Sequence, residues 1–254
     1  MGFFDFFKSK AKLAESPGGT AIPHQRFHAR YRLNDPDLCT LEHARHGLFR
    51  VIDFSYHGCL LEAVGDASFE HCAYPGLVEI MVGGSSFHIE AGQCQKRKNG
   101  WGVVFKHTNE SSIRGVGTFI EPLRYGSSAV ALPSDPSRDG VMSKFRRRYQ
   151  GDGPFDLVVE ENEAGKIVFV MATIRRGNEY GCVVWEKGRV VTKKTIDSDG
   201  VGARMGQTQD VDRPMVWVSV LACLGLKFPD GPKCAAIFDV WLKDPVNMPV
   251  AKSS

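Results

Sequence analysis

No stretch of this 254-residue chain supplies the roughly 20 consecutive apolar residues that a membrane-spanning helix needs, so a helical membrane protein is not expected. Charge of one sign is also scarce. Lys and Arg number 32 against 29 Asp and Glu, a formal net charge of +3, which is too little to attract DNA by bulk electrostatics; no DNA partner is expected. Cysteine is present but unorganised. Cys39, Cys59, Cys72, Cys94, Cys182, Cys223 and Cys234 are odd in number and contain no CxxC, so they read as reduced thiols of a cytoplasmic protein. Histidine is missing from the whole second half. His43, His46, His71 and Cys72 lie close in sequence, but His43 and His46 stand three apart in a stretch that alternates like strand and loop. Their rings then have no reason to converge, no spacing matches a zinc module, and no metal is expected. There is no GxSxG, HExxH or P-loop, and no serine or cysteine with a histidine at a catalytic spacing, so neither an enzyme nor a cofactor is expected.

What is present is Arg26-Phe27-His28-Ala29-Arg30, followed by Asp53-Phe54-Ser55-Tyr56-His57-Gly58. An arginine fork pairs bidentately with phosphate oxygens or with the O6/N7 edge of guanine. Asp53 can accept from the N1 and N2 donors of guanine, Ser55 carries a rotatable donor and acceptor, and Gly58 allows a close approach of backbone to ligand. An RxxxR alone arises by accident about once in such a chain; requiring DxSxxG behind it lowers chance to roughly one in a hundred, so the pair carries the reading. Gly47 to Asp53 runs into the second motif and Cys59 to Ala63 runs out of it, which makes DxSxxG a turn between two strands.

On these residues, with a later Gly100-Trp101-Gly102-Val103-Val104-Phe105, the first half resembles the PilZ domain, a bacterial receptor module for cyclic di-GMP. The resemblance implies a mainly β fold: a six-stranded antiparallel barrel with a C-terminal helix. It also implies ligand contacts from Arg26 and Arg30 on the segment entering the barrel and from Asp53, Ser55 and Gly58 on the barrel wall. Gln25, just before the first arginine, leaves open whether one ligand or a stacked pair is bound.

Strands are expected at 37–42, 48–54, 59–63, 78–82, 86–90 and 102–107, then a glycine-weakened helix over 108–125. The expected organisation is a tip and hinge (1–20), a PilZ-like domain (21–127), a Pro/Ser/Gly linker (128–140), a second strand-rich domain (141–248) and a tail (249–254). Lys144 to Tyr149 matches the spacing of Arg26 to Tyr31, and strands at 155–160, 165–174 and 180–184 follow. A degenerate second copy of the first domain is one reading, an unrelated strand-rich module the other. Arg146 to Arg148 reads as a solvated edge or an interdomain contact, against an RNA or membrane patch. Residues 200–206 read as a polar loop. Residues 215–226 fit a helix or a strand equally, and Ala236 to Leu242 reads as a strand. Phe3, Phe4, Phe6 and Phe7, followed by Lys8, Lys10 and Lys12, form either a peripheral membrane anchor or a short helix packed on its own protein.

The expected function is a cytoplasmic effector, peripheral to the inner membrane if the tip engages it, that converts cyclic di-GMP binding into an interdomain or protein-partner rearrangement. Motility, attachment or secretion are the outputs the resemblance implies. The alternative is a nucleotide-independent adaptor.

Overall fold

The computed structural model describes residues 29–70, 72–107, 110–133, 146–153, 155–176, 179–196, 204–207 and 211–244. Arg26, Gln25, His71, Lys144 and the amino-terminal phenylalanines lie outside the described residues.

The first half alternates apolar and polar residues between glycine-rich turns, and it folds accordingly. Its strands are β1 (Tyr31–Arg32), β2 (Cys39–His43), β3 (Gly47–Ser55), β4 (Gly58–Ala63), β5 (Gly76–Val82), β6 (Ser85–Arg97) and β7 (Gly100–Lys106). Hydrogen bonding runs β3-β2-β5-β6-β7-β4 and returns from β4 to β3, closing a six-stranded antiparallel barrel as expected, with β1 added beside the end of β3. Closure removes sheet edges, and the inward residues Phe49, Val51, Phe54, Leu61, Ile80 and Val103 fill the interior. Helix α1 (Glu110–Ser128) plugs one end, its Phe119 ring 4.4 Å from Phe54 and 5.4 Å from Phe87.

The second half differs from the first. Strands β8 (Val130–Leu132), β9 (Arg146–Gln150), β10 (Asp156–Glu161), β11 (Ile167–Arg176), β12 (Glu179–Glu186), β13 (Arg189–Ile196) and β14 (Arg204–Gln207) pair strictly in chain order, an antiparallel meander. The strand order of the barrel is not repeated, so the likeness between residues 26–31 and 144–149 does not extend to topology. Two expectations are corrected by position. The linker range contains β8, the first strand of this sheet, and the polar-loop range contains part of β14. The basic run is partly solvated, with Arg148 exposed, but it is not a bare patch. Arg146, Arg147 and Arg148 lie on β9, paired respectively with Glu160, with Asp230 and Glu161, and with Asp156, so their charge is neutralised within the second half.

Helix α2 (Arg213–Gly225) resolves the ambiguous segment: Asp212 accepts from the Met215 N–H at 3.1 Å as N-cap, with Pro214 in the first turn. Every residue from Met215 to Gly225 except Trp217 is buried, so the Val216/Val218/Val220 alternation reflects burial all round and not a pleat. Helix α3 (Asp230–Lys243) corrects the strand expectation for Ala236 to Leu242. Its buried Cys234, Ala235, Phe238 and Leu242 recur at helical spacing.

Helix α2 is the layer that joins the halves. A Cβ on Gly126 would stand 1.8 Å from the Ala222 carbonyl oxygen and one on Gly225 2.4 Å from that of Leu123, so α1 and α2 cross backbone to backbone. The Trp217 indole donates to the Val82 carbonyl of β5 at 2.8 Å, and Met215 packs against Gly181 of β12. Barrel, helices and sheet therefore share one continuous hydrophobic core.

Candidate ligand-binding site

The site begins with a one-residue irregularity in β3. Phe49 and Val51 point into the barrel, but the register with β4 shifts between Val51 and Asp53, and Phe54 is the next inward side chain. The extra residue, Ile52, is a β-bulge that reverses the alternation. Without it, Asp53 would fall on the apolar interior; with it, Asp53 faces outward.

Outside the barrel, the paired strands set a row of neighbours across the wall: Arg32 on β1, Asp53 on β3, Leu60 on β4, Gly102 on β7 and Gln95 on β6. A second row beside it runs Ser55, Gly58, Val104, Gln93. Cross-strand partners share a face. The two rows make a shallow floor of Leu60, Val104 and two glycines, polar at each end, with Val104 47% exposed.

The structure brings four of the five expected contact residues to one end of this floor; Arg26 lies outside the described residues. Arg30 Nη1 donates to Asp53 Oδ1 at 2.6 Å, and the same oxygen accepts from the Leu60 N–H at 3.2 Å, so both motif halves meet in one ion pair. With Arg30 about one-third exposed, the pair contributes at most about 1 kcal/mol to stability, and exchanging the carboxylate for a ligand phosphate is cheap.

Ser55 and Gly58 each hold the turn itself. Ser55 is 4% exposed and its hydroxyl donates to the Gly58 carbonyl at 2.9 Å, which closes the turn and leaves no donor hydrogen for a ligand. At Gly58, with φ of +156°, an added Cβ would stand 1.9 Å from the Val103 carbonyl oxygen. The close approach that requires glycine is that of β7. His107 pins the same turn from outside, its Nε2 2.6 Å from the Tyr56 carbonyl oxygen, and the Phe105 N–H donates to the His57 carbonyl at 2.9 Å. The turn is thus held by three hydrogen bonds.

Tyr31 lies beside Arg124 of α1 and Tyr56 of the turn; burial raises its phenol pKa, with Arg124 opposing the rise and Tyr56 adding to it. Arg32 and the floor glycine Gly102 are the site-facing residues that motif reading missed. Their signal is register, which appears only once β1 and β7 are paired with their neighbours.

The histidine argument is corrected in its geometry. The His43 and His46 rings do converge, at 4.6 Å, but His43 Nε2 is 2.8 Å from the Pro75 carbonyl oxygen, His43 Nδ1 accepts from the Arg45 N–H, and His46 Nδ1 is 3.0 Å from the Ser68 carbonyl oxygen. Among the described residues no group of His, Cys, Asp and Glu is arranged to hold a metal ion. Burial pushes the Cys94 thiol up to about 12 and those of Cys39 and Cys59 well above the ordinary value, which keeps these barrel cysteines as neutral packing groups. No helix among the described residues is long and apolar enough to cross a membrane.

No family model, curated protein or solved structure matches this chain.

Proposed function

We propose that the outer wall of the barrel, from Arg30 and Asp53 across Leu60 and Gly102, binds cyclic di-GMP, and that the chain is a binding effector and not an enzyme. The observation that carries the proposal is the 2.6 Å contact between Arg30 and Asp53: a cation from the entering segment and an acceptor from the barrel wall meet beside an apolar, glycine-lined floor. The PilZ resemblance in the sequence supplies the ligand's identity. In this reading Asp53 receives guanine N–H donors, Arg30 and Arg26 turn to phosphate or to the guanine edge, and a base lies over Leu60 and Val104. Ser55 and Gly58 act by fixing the turn that presents Asp53.

The output follows from the layers. The entering segment continues through the Asn34 N–H, which donates to the Leu224 carbonyl of α2 at 3.1 Å, so a ligand that repositions Arg30 pulls on the helix that joins barrel to sheet. Only a ligand with unequal affinity for two such arrangements shifts them. The receiver would be a protein partner of a cytoplasmic complex.

A second reading, a nucleotide-independent adaptor, is favoured by the ion pair between Arg30 and Asp53, which turns the two charged motif residues toward each other. Isothermal titration separates the two. Heat saturating at micromolar cyclic di-GMP, weakened at least tenfold in Arg30→Ala and in Asp53→Ala, supports binding. Absence of heat in the unaltered protein supports the adaptor.

A further inference from the structure

The floor of the candidate site does not end at Asp53. Across it, on β6, the residues Gln93, Gln95 and Arg97 face outward, whereas Cys94 between the two glutamines is buried. Arg97 does not extend into solvent along its strand. Its side chain folds back over Gly102, with Nε 3.2 Å and Cγ 3.5 Å from where a Cβ of residue 102 would stand, and its Nη2 donates to Gln95 Oε1 at 2.9 Å. A side chain at 102 would displace it by a few tenths of an ångström. No carboxylate pairs with Arg97 among the described residues, so most of its five N–H donors remain available.

Position then decides what Arg97 can do. Asp53 and Gly102 are separated by one strand, β4, which at the usual strand spacing places them about 10 Å apart. Arg30 and Arg32 stand at the Asp53 end, Arg97 at the other, and Leu60 and Val104 between. Held as they are by Asp53 and by Gln95, the cations stand at opposite ends of the floor, an arrangement that suits a ligand with two anionic groups and a flat apolar part.

We propose that Arg97 is a second anion contact of this site, reaching the second phosphate of a two-phosphate nucleotide. This rests on the proposed binding of cyclic di-GMP and adds a residue outside the RxxxR and DxSxxG motifs. The geometry asks for a fork held flat by Gln95, so lysine would keep the charge and lose the bidentate contact.

The test is the affinity of the full chain for cyclic di-GMP at two or more salt concentrations, in the unaltered protein, Arg97→Ala, Arg97→Lys and the distant control Arg189→Ala. Arg97→Ala is expected to bind at least tenfold more weakly and with a shallower salt dependence, because one ionic contact has gone. Arg97→Lys is expected to lose several-fold and keep the salt dependence; Arg189→Ala is expected to match the unaltered protein. Binding in Arg97→Ala within twofold of the unaltered protein, or weakened with an unchanged salt dependence, overturns the role of Arg97 and leaves the site standing. No binding by the unaltered protein overturns both.

Discussion

Replacing Gly58 with alanine distinguishes a glycine kept for a ligand from a glycine kept for the barrel. The added methyl would stand 1.9 Å from the Val103 carbonyl oxygen, where real Cβ contacts essentially never fall below 3.0 Å, so β4 and β7 must part by about 1 Å. That parting loosens the pairs Gly58–Val104 and Cys59–Val103 on a closed barrel that has little slack to absorb it. The φ of +156° adds backbone strain for any residue with a side chain. Overpacking of about 1–3 kcal/mol and strain of about 1–3 kcal/mol sum to about 2–6 kcal/mol; the midpoint of about 4 kcal/mol is roughly 8–16 °C of melting temperature for a chain of this size. The matched control is Gly65→Ala, at φ of +60° with nothing within 4 Å of the new methyl, where only about 1 kcal/mol of left-handed strain applies. Thermal unfolding followed by circular dichroism reads both. A Gly58→Ala protein that melts within about 3 °C of Gly65→Ala would refute the steric reasoning. Lost ligand binding in that same protein would return Gly58 to the role of a ligand contact.

Asp230→Asn should cost about 3 kcal/mol in urea unfolding, because the buried carboxylate accepts from Arg147 Nε at 2.6 Å, Arg147 Nη2 at 3.0 Å and the Tyr149 hydroxyl at 2.6 Å; a loss below about 1 kcal/mol would contradict this. Trp217→Phe should cost about 1 kcal/mol by removing the indole hydrogen bond to the Val82 carbonyl, and should loosen the barrel against α2, read as faster amide exchange in β5. Glu161, whose pKa is lowered chiefly by its hydrogen bond to Arg147, contributes stability that is present above the unfolded glutamate value and is lost as pH falls through the lower folded value. The stability gap between the unaltered protein and Glu161→Gln should therefore be full at neutral pH and shrink on acidification below about 4.5; a gap that stays constant to pH 3 would contradict it.

The barrel was legible in sequence because its signals are local: alternation within each strand, glycines between strands, and two short motifs. What escaped depends on partners distant in the chain. Arg146, Arg147 and Arg148 look like a basic patch until β10 and α3 bring Glu160, Glu161, Asp156 and Asp230 against them. The segment Ala236 to Leu242 carries β-formers Ile237, Phe238, Val240 and Trp241, yet Phe238 and Leu242 are buried while Val240 is 69% exposed, a helical face imposed by packing on α2. In the site, the motif identified where the residues meet but not how they divide the work. Asp53 and Arg30 were legible as two groups aimed at one ligand, whereas their ion pair with each other was not. The roles of Ser55 and Gly58 depend on how near β7 comes, and the place of Arg97 depends on the register between β6 and β7.

The most direct test of the account is hydrogen exchange of the full chain with and without saturating cyclic di-GMP. The predicted result is slowed exchange centred on residues 30–32, 53–60, 93–97 and 101–104, with a smaller change in α2, and loss of that pattern in Asp53→Ala. Protection elsewhere, with those four segments unchanged, would contradict the placement of the ligand on this wall.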